Sequence, residues 1–129
     1  MRSVYIADSV QIDTGAKVFK LSAAATINAI TINKGKTKLK GGSIKNTSAG
    51  VKYVKLYDKG VSVPAATDVP VVKLALSAGE TVNIKDIFGN EGITFQSGLG
   101  IMLTGAPADN DVTAVAANDL HLNLTYLSA

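Results

Sequence analysis

Few side chains in this sequence combine the chemistry and the spacing of a reaction centre. His121 is the single histidine, and no second histidine or neighbouring carboxylate completes a ligand or proton-transfer pattern with it. An exposed or interfacial imidazole is therefore expected, not a catalytic one. Serines are available, but no G-x-S-x-G stretch occurs, and a serine hydroxyl without a base and an orienting group stays a weak nucleophile. The absence of cysteine excludes thiolate ligands, cysteine nucleophiles and disulfides. Gly98-Leu99-Gly100 lacks the rest of a nucleotide-binding fingerprint and reads as turn or close-packing glycine. The best ion-binding candidate is Asp109-Asn110-Asp111, where Asp109 and Asp111 offer hard oxygen ligands of the kind calcium takes. The Gly and terminal Glu of an EF-hand are missing, and an Asx-rich turn accounts for the same residues. Asn46-Thr47-Ser48 and Asn123-Leu124-Thr125 match the glycosylation pattern, which has meaning only in an exported chain. No enzyme activity, resident metal or cofactor is expected.

Charge is segregated along the chain. The net charge is +3, yet residues 34–59 carry Lys34, Lys36, Lys38, Lys40, Lys45, Lys52, Lys55 and Lys59 against Asp58 alone. From residue 60 onward Lys73 and Lys85 face Asp68, Glu80, Asp86, Glu91, Asp109, Asp111 and Asp119. Such a distribution suits docking against an oppositely charged protein surface. It also suits a solvated sheet face, because Lys34, Lys36, Lys38 and Lys40 alternate with other residues and in one strand would leave by one side. Nucleic acid is disfavoured: Arg2 is the lone arginine, and no aromatic lies between Phe19 and Tyr53 to stack on bases. No run of about 18 apolar residues suggests a membrane span, and no signal-peptide pattern opens the chain.

At 129 residues and 47% hydrophobic content the chain suits one folded body. The pattern is period two, with β-branched residues in short runs bounded by Gly, Asn, Asp and Pro. Strands are expected near 17–21, 26–33, 37–39, 43–46, 53–58, 71–76, 81–84, 93–95, 99–104, 112–115 and 119–127, with little support for helix. In the last of these Leu120, Leu122, Leu124 and Tyr126 share one face, opposite His121, Asn123 and Thr125. Val54 and Leu56 likewise oppose Tyr53, Lys55 and Tyr57, with Val72, Leu74 and Leu76 as a facing apolar row. Ribbons with one apolar side are buried most simply as a two-sheet β-sandwich, jelly-roll-like or another Greek key. Lys40-Gly41-Gly42-Ser43 fits a hairpin, Ser77–Glu80 and Gly89–Gly92 fit turns, and Val63–Pro70 reads as an exposed crossing loop. Residues 26–129 form the expected body, while 1–25 read as an N-terminal arm, with Ser22–Ala25 as a hinge, or as a first hairpin.

Several stretches together resemble a small β-rich structural domain of tailed-bacteriophage virion proteins, over roughly residues 26–127. They are Tyr53-Val54-Lys55-Leu56-Tyr57-Asp58-Lys59, Pro64, Thr67–Val72, Gly92-Ile93-Thr94-Phe95, Gly98-Leu99-Gly100-Ile101 and Ala108–Asp119. The resemblance implies assembly instead of catalysis: a capsid decoration, or cement, protein that bridges and stabilises shell subunits. It implies a homo-oligomer, in particular a homotrimer, on the capsid surface of a virion, touching the major capsid protein and made in the host bacterial cytoplasm. A tail, baseplate or fibre domain for attachment or receptor binding is the alternative. The expected interface comprises Lys34, Lys36, Lys38, Lys40, Tyr53, Lys55 and Tyr57.

Overall fold

The computed structural model describes residues 15–128. Over them the chain forms β1 (Ala16–Ser22), β2 (Ile30–Lys34), β3 (Thr37–Asn46), β4 (Lys52–Asp58), β5 (Val72–Leu76), β6 (Thr81–Asn83), α1 (Ile84–Phe88), β7 (Ile93–Phe95), β8 (Gly98–Thr104) and β9 (Leu120–Ser128). Sheet I runs β1-β9-β3-β6, with β7 also pairing β3, and sheet II runs β2-β8-β4-β5. Every pairing is antiparallel. The all-β, two-sheet sandwich follows from the alternation: Leu120, Leu122, Leu124, Leu39 and Ile44 of sheet I meet Val54, Leu56, Leu99, Ile101 and Leu103 of sheet II in one core.

Successive strands mostly change sheets, so sequence neighbours often face each other across the core instead of pairing. Two connections differ from expectation for this reason. Val72 and Leu74 lie beside Leu56 and Val54 in the same sheet, and the row facing them comes from β9 and β3. The segment 59–71 does not cross between sheets either. It joins paired strands β4 and β5, and Val71 N–H donates to Leu56 O at 2.9 Å as the chain returns.

Residues 37–46 form a single strand where a hairpin at Lys40–Ser43 was expected. The register slips between Leu39 and Gly41, and Gly42 holds φ +109°. A Cβ on Gly42 would lie 2.0 Å from Asn123 O, so the glycines serve a bulge and a close backbone approach within a ladder, not a turn. Residues 84–88 form a helical turn beyond β6, with Ile84 buried and Gly89 closing it through a bond to Lys85 O. Five residues make little more than one turn, too short a stretch for the helical period to declare itself.

Residues 112–115 are not a strand. Asp111 accepts from Thr113 N–H and Thr113 Oγ1 at 3.0 and 2.8 Å, an Asx turn that diverts the backbone from a ladder. The 16–22 part of the stretch read as an arm or first hairpin pairs with β9 along its length, and residues 1–14 lie outside the described residues. The expected hinge at 22–25 is docked: Ala23 is buried, its N–H donates to Leu120 O, and its carbonyl accepts from Asn118 N–H. Asn28, in the left-handed region at φ 49°, closes this segment through bonds to Ala24 N–H, Ala24 O and Thr26 O.

Candidate interaction surfaces

The two sheets treat their outer faces differently. On sheet II the outward residues of β4 are Lys55 and Tyr57, yet both are buried, at 0% and 1% exposure. The chain's own loops cover them. Lys55 Nζ donates to Ala108 O at 2.6 Å and Asp111 O at 3.2 Å, holding the 105–114 segment over the sheet. Lys73, next along on β5, donates to Pro107 O at 2.9 Å and pairs with Asp109 at 2.7 Å. The 59–71 loop covers the neighbouring area: Pro64 sits where a Cβ on Gly100 would have to go, and Lys59 pairs with Asp68 at 2.7 Å. Asp68 also accepts from Ala65 N–H, so one carboxylate closes the loop on itself.

Burial under these loops sets the local protonation. It pushes the Lys55 ammonium below the ordinary lysine range, with the Asp111 carboxylate pulling it back. It pushes the Tyr57 phenol above its ordinary range, and Asp68 and Asp109 both add to that rise. The Tyr57 hydroxyl finds a weak partner in Met102 Sδ at 3.8 Å. The hydrogen bond from Lys59, and then that from Ala65 N–H, holds Asp68 below the ordinary carboxylate range.

A pH dependence follows from Asp68. Its folded pKa lies below its unfolded one, so the unfolded chain binds more protons in acid. The stabilisation is present above the ordinary carboxylate value, about pH 4, and is lost as pH falls through the folded value. Urea midpoints measured from pH 5 to pH 2 are expected to fall less steeply for Asp68→Asn than for the unsubstituted protein. Parallel curves would remove Asp68 as the closure of this loop.

The oxygen-rich run is occupied from within. Asp109 pairs with Lys73, and Asp111 caps Thr113 while its carbonyl accepts from Lys55. Lysine ammonium groups thus stand where a cation would be held, which favours the Asx-turn account. Among the described residues no three His, Cys, Asp or Glu side chains gather as a metal-binding group. Asn46 is wholly buried, with Nδ2 within reach of Gly50 O, Leu76 O and Ser77 O. It ties the β3–β4 turn to the end of β5 and is closed to glycosylation.

Among the described residues, much of the outer face of sheet I is exposed, including Lys20, Lys45, Thr81 and Asn123. Across it lie Ser22, His121, Lys45 and Thr81, then Lys20, Asn123, Ser43 and Asn83, then Val18, Thr125 and Gly41. His121 Nδ1 and Ser22 Oγ are hydrogen-bonded at the surface at 3.0 Å. Lys40 and Lys85 flank Gly41, Gly42 and Thr125 in a shallow cleft of about 260 Å³, the Lys85 stem lying 3.4 Å from where a Gly41 Cβ would be. Lys20, Lys38, Lys40, Lys45 and Lys85 make this face basic, with Lys38 meeting Glu91 at 3.5 Å.

The expected lysine row is therefore split. Lys34 ends β2 in sheet II, Lys36 lies in the turn where Gly35 takes φ +78°, and only Lys38 and Lys40 reach sheet I. Tyr53 is half-buried on β4. Lys85 and Lys20 are missing from the sequence-derived interface because only the pairing of β1, β9 and β3, with α1 beside them, brings them together.

The linear charge segregation also folds back on itself. Lys38–Glu91, Lys52–Asp119 and Lys59–Asp68 join the basic segment to the acidic one. Among the described residues Lys17, Lys20, Lys34, Lys36, Lys45 and Lys85 make no ion pair within 4 Å. No helix among the described residues is long and apolar enough to cross a membrane.

No family model matches this chain, and no curated protein matches it. Among solved structures it is similar to the coat protein of Tobacco streak virus, at 14% identity, with 92% of this chain and 86% of that chain covered and a TM-score of 0.37. That superposition is too loose to establish a shared fold.

Proposed function

We propose that this protein is a non-catalytic structural component of a virus particle: a capsid decoration protein that works as a homo-oligomer and attaches to the shell through the basic outer face of sheet I. The observation that carries this reading is the strand order. β1, β9, β3 and β6/β7 in one sheet and β2, β8, β4 and β5 in the other is the order that two interlocked Greek keys would give, which supports reading the sandwich as jelly-roll-like. That architecture recurs in viral capsid and lectin domains. Architecture alone does not choose between these uses; the basic face favours the capsid reading, since a patch of Lys20, Lys40, Lys45 and Lys85 suits distributed contact with an acidic protein surface. Bridging of neighbouring shell subunits would then stabilise the assembled state by preferring it.

Two measurements test the reading. Cryo-electron microscopy of the native particle should show density for this chain repeating over the head lattice and touching the major capsid protein. Density at a tail tip, baseplate or fibre alone would replace decoration with the attachment alternative, and absence from the particle would reject both. Charge reversal by K20E/K45E/K85E is expected to weaken attachment to particles lacking the protein by roughly 10–100-fold, with a reduced salt dependence. Unchanged attachment would exclude sheet I as the contact.

A further inference from the structure

The loops that seal sheet II present valine to solvent. In the 59–71 loop Val61 is 91% exposed, Val69 70%, Val71 56% and Val63 50%, and in the 105–114 loop Val112 is 48% exposed. We infer that this valine cap is the surface through which copies of this chain associate, its occupant being a second copy of the same chain. The inference rests on the homo-oligomer part of the proposed function and is independent of where in a particle the protein resides.

Grouping comes first. Single apolar side chains on a surface are ordinary, but several on one loop, beside a second loop carrying another, form the kind of patch that marks an interaction site. Both loops lie on the outer face of sheet II: Lys55 and Lys73 hold the 105–114 loop there, and Pro64 of the 59–71 loop sits against Gly100 of β8.

Rigidity comes second. The 59–71 loop is closed by Asp68 through Lys59 Nζ and Ala65 N–H, at 2.7 and 2.8 Å, and Pro64 seats against Gly100. The 105–114 loop is held by Lys55 and Lys73 and by Gly105 N–H to Thr113 O at 3.0 Å. The backbone is already ordered, and valine has one stiff side-chain torsion. A partner landing on this cap therefore incurs little of the ordering cost that weakens association through mobile loops.

Charge selects the occupant. Two ion pairs beside the cap, Lys59 with Asp68 and Lys73 with Asp109, are closed within the chain. Lys20, Lys45 and Lys85, without an ion-pair partner among the described residues, lie on sheet I, and Lys34 and Lys36 lie at the β2–β3 turn. Two copies with the same net charge of +3 repel through those basic regions, and the neutral apolar cap is where they can meet. An acidic partner, in contrast, is drawn to sheet I and gains nothing electrostatic from the valines.

Sedimentation velocity of the full chain over a range of concentrations tests this. The unsubstituted protein is expected as a species heavier than 13.3 kDa, with V61D/V69D sedimenting at the monomer mass and keeping its circular dichroism spectrum and urea midpoint. V61S/V69S, which adds no charge, should weaken self-association about tenfold or more. K20E/K45E, on the opposite sheet, should leave the mass of the assembly unchanged. Undiminished association in both valine variants would overturn the inference while leaving the homo-oligomer reading standing. A monomeric unsubstituted protein at every concentration would overturn both, with particle attachment through sheet I still measurable on its own.

Discussion

Gly42→Ala is expected to cost roughly 2–5 kcal/mol and to leave little folded protein at moderate urea. The new methyl would lie 2.0 Å from Asn123 O and 2.8 Å from Leu124 Cα. Both are backbone atoms of the paired strand β9, so neither can turn aside as a flexible side chain would. Overpacking of this kind costs about 1–3 kcal/mol, and an L-residue at positive φ adds about 1–2 kcal/mol. The β3–β9 seam runs the length of sheet I, so separating it there disturbs Ile44, Leu122 and Leu124 in the core. Equilibrium urea unfolding followed by circular dichroism provides the measurement. Gly35→Ala, with positive φ but no atom within 4 Å of the added methyl, should show only the conformational part. Equal losses for the two variants would mean that close approach to β9 is not why Gly42 is glycine.

Replacing Lys55 with alanine should cost about 3–5 kcal/mol and free the 105–114 loop. Two hydrogen bonds from a charged donor are lost, at about 1.5–3 kcal/mol each, and the aliphatic stem no longer fills the space between sheet and loop. Relief of the ammonium's desolvation offsets part of this. Hydrogen exchange is expected to accelerate at the amides of 106–113 well before those of β9, since the loop can open while the sandwich stays closed. Lys55→Met keeps the stem and removes the charge, and it separates packing from hydrogen bonding.

The same methionine variant carries a pH signature. With its folded pKa lowered by burial, Lys55 leaves the unfolded chain binding more protons between the folded value and the ordinary lysine value. Its penalty is full below the folded pKa and fades as pH rises through that window. Tyr57 acts in the opposite sense: its phenol is raised by burial, so stability falls as pH passes the ordinary tyrosine value and the unfolded chain ionises first. Lys55→Met removes the first effect and keeps the second, so its stability should decline more steeply than that of the unsubstituted protein between about pH 9 and pH 11. Identical alkaline limbs would place the Lys55 ammonium in water.

What could be read from the amino acids alone was whatever a strand states about its own two sides. Leu120, Leu122, Leu124 and Tyr126 declared a buried face against His121, Asn123 and Thr125, because side chains in a strand alternate and water rejects the apolar set. The sandwich class followed from several such ribbons, and the turns at Ser77–Glu80 and Gly89–Gly92 from glycines with positive φ. Gly41–Gly42 misled because a glycine pair favours a hairpin as strongly as a bulge. The deciding fact, the carbonyl of Asn123 two ångströms from a missing methyl, lies some eighty residues away in sequence.

Lys55 and Tyr57 misled for a related reason. Alternation correctly placed them opposite Val54 and Leu56, but it cannot say that loops from 59–71 and 105–114 return to cover that side. Likewise the linear charge blocks suggested a dipole, and the fold paired much of it away through Lys38–Glu91, Lys52–Asp119 and Lys59–Asp68. Sheet membership, coverage of a face and pairing of charges depend on contacts between distant segments, whose free energies arise only once the chain is compact. Local pattern therefore determined which residues turn away from water, and tertiary packing decided which polar faces remained for a partner.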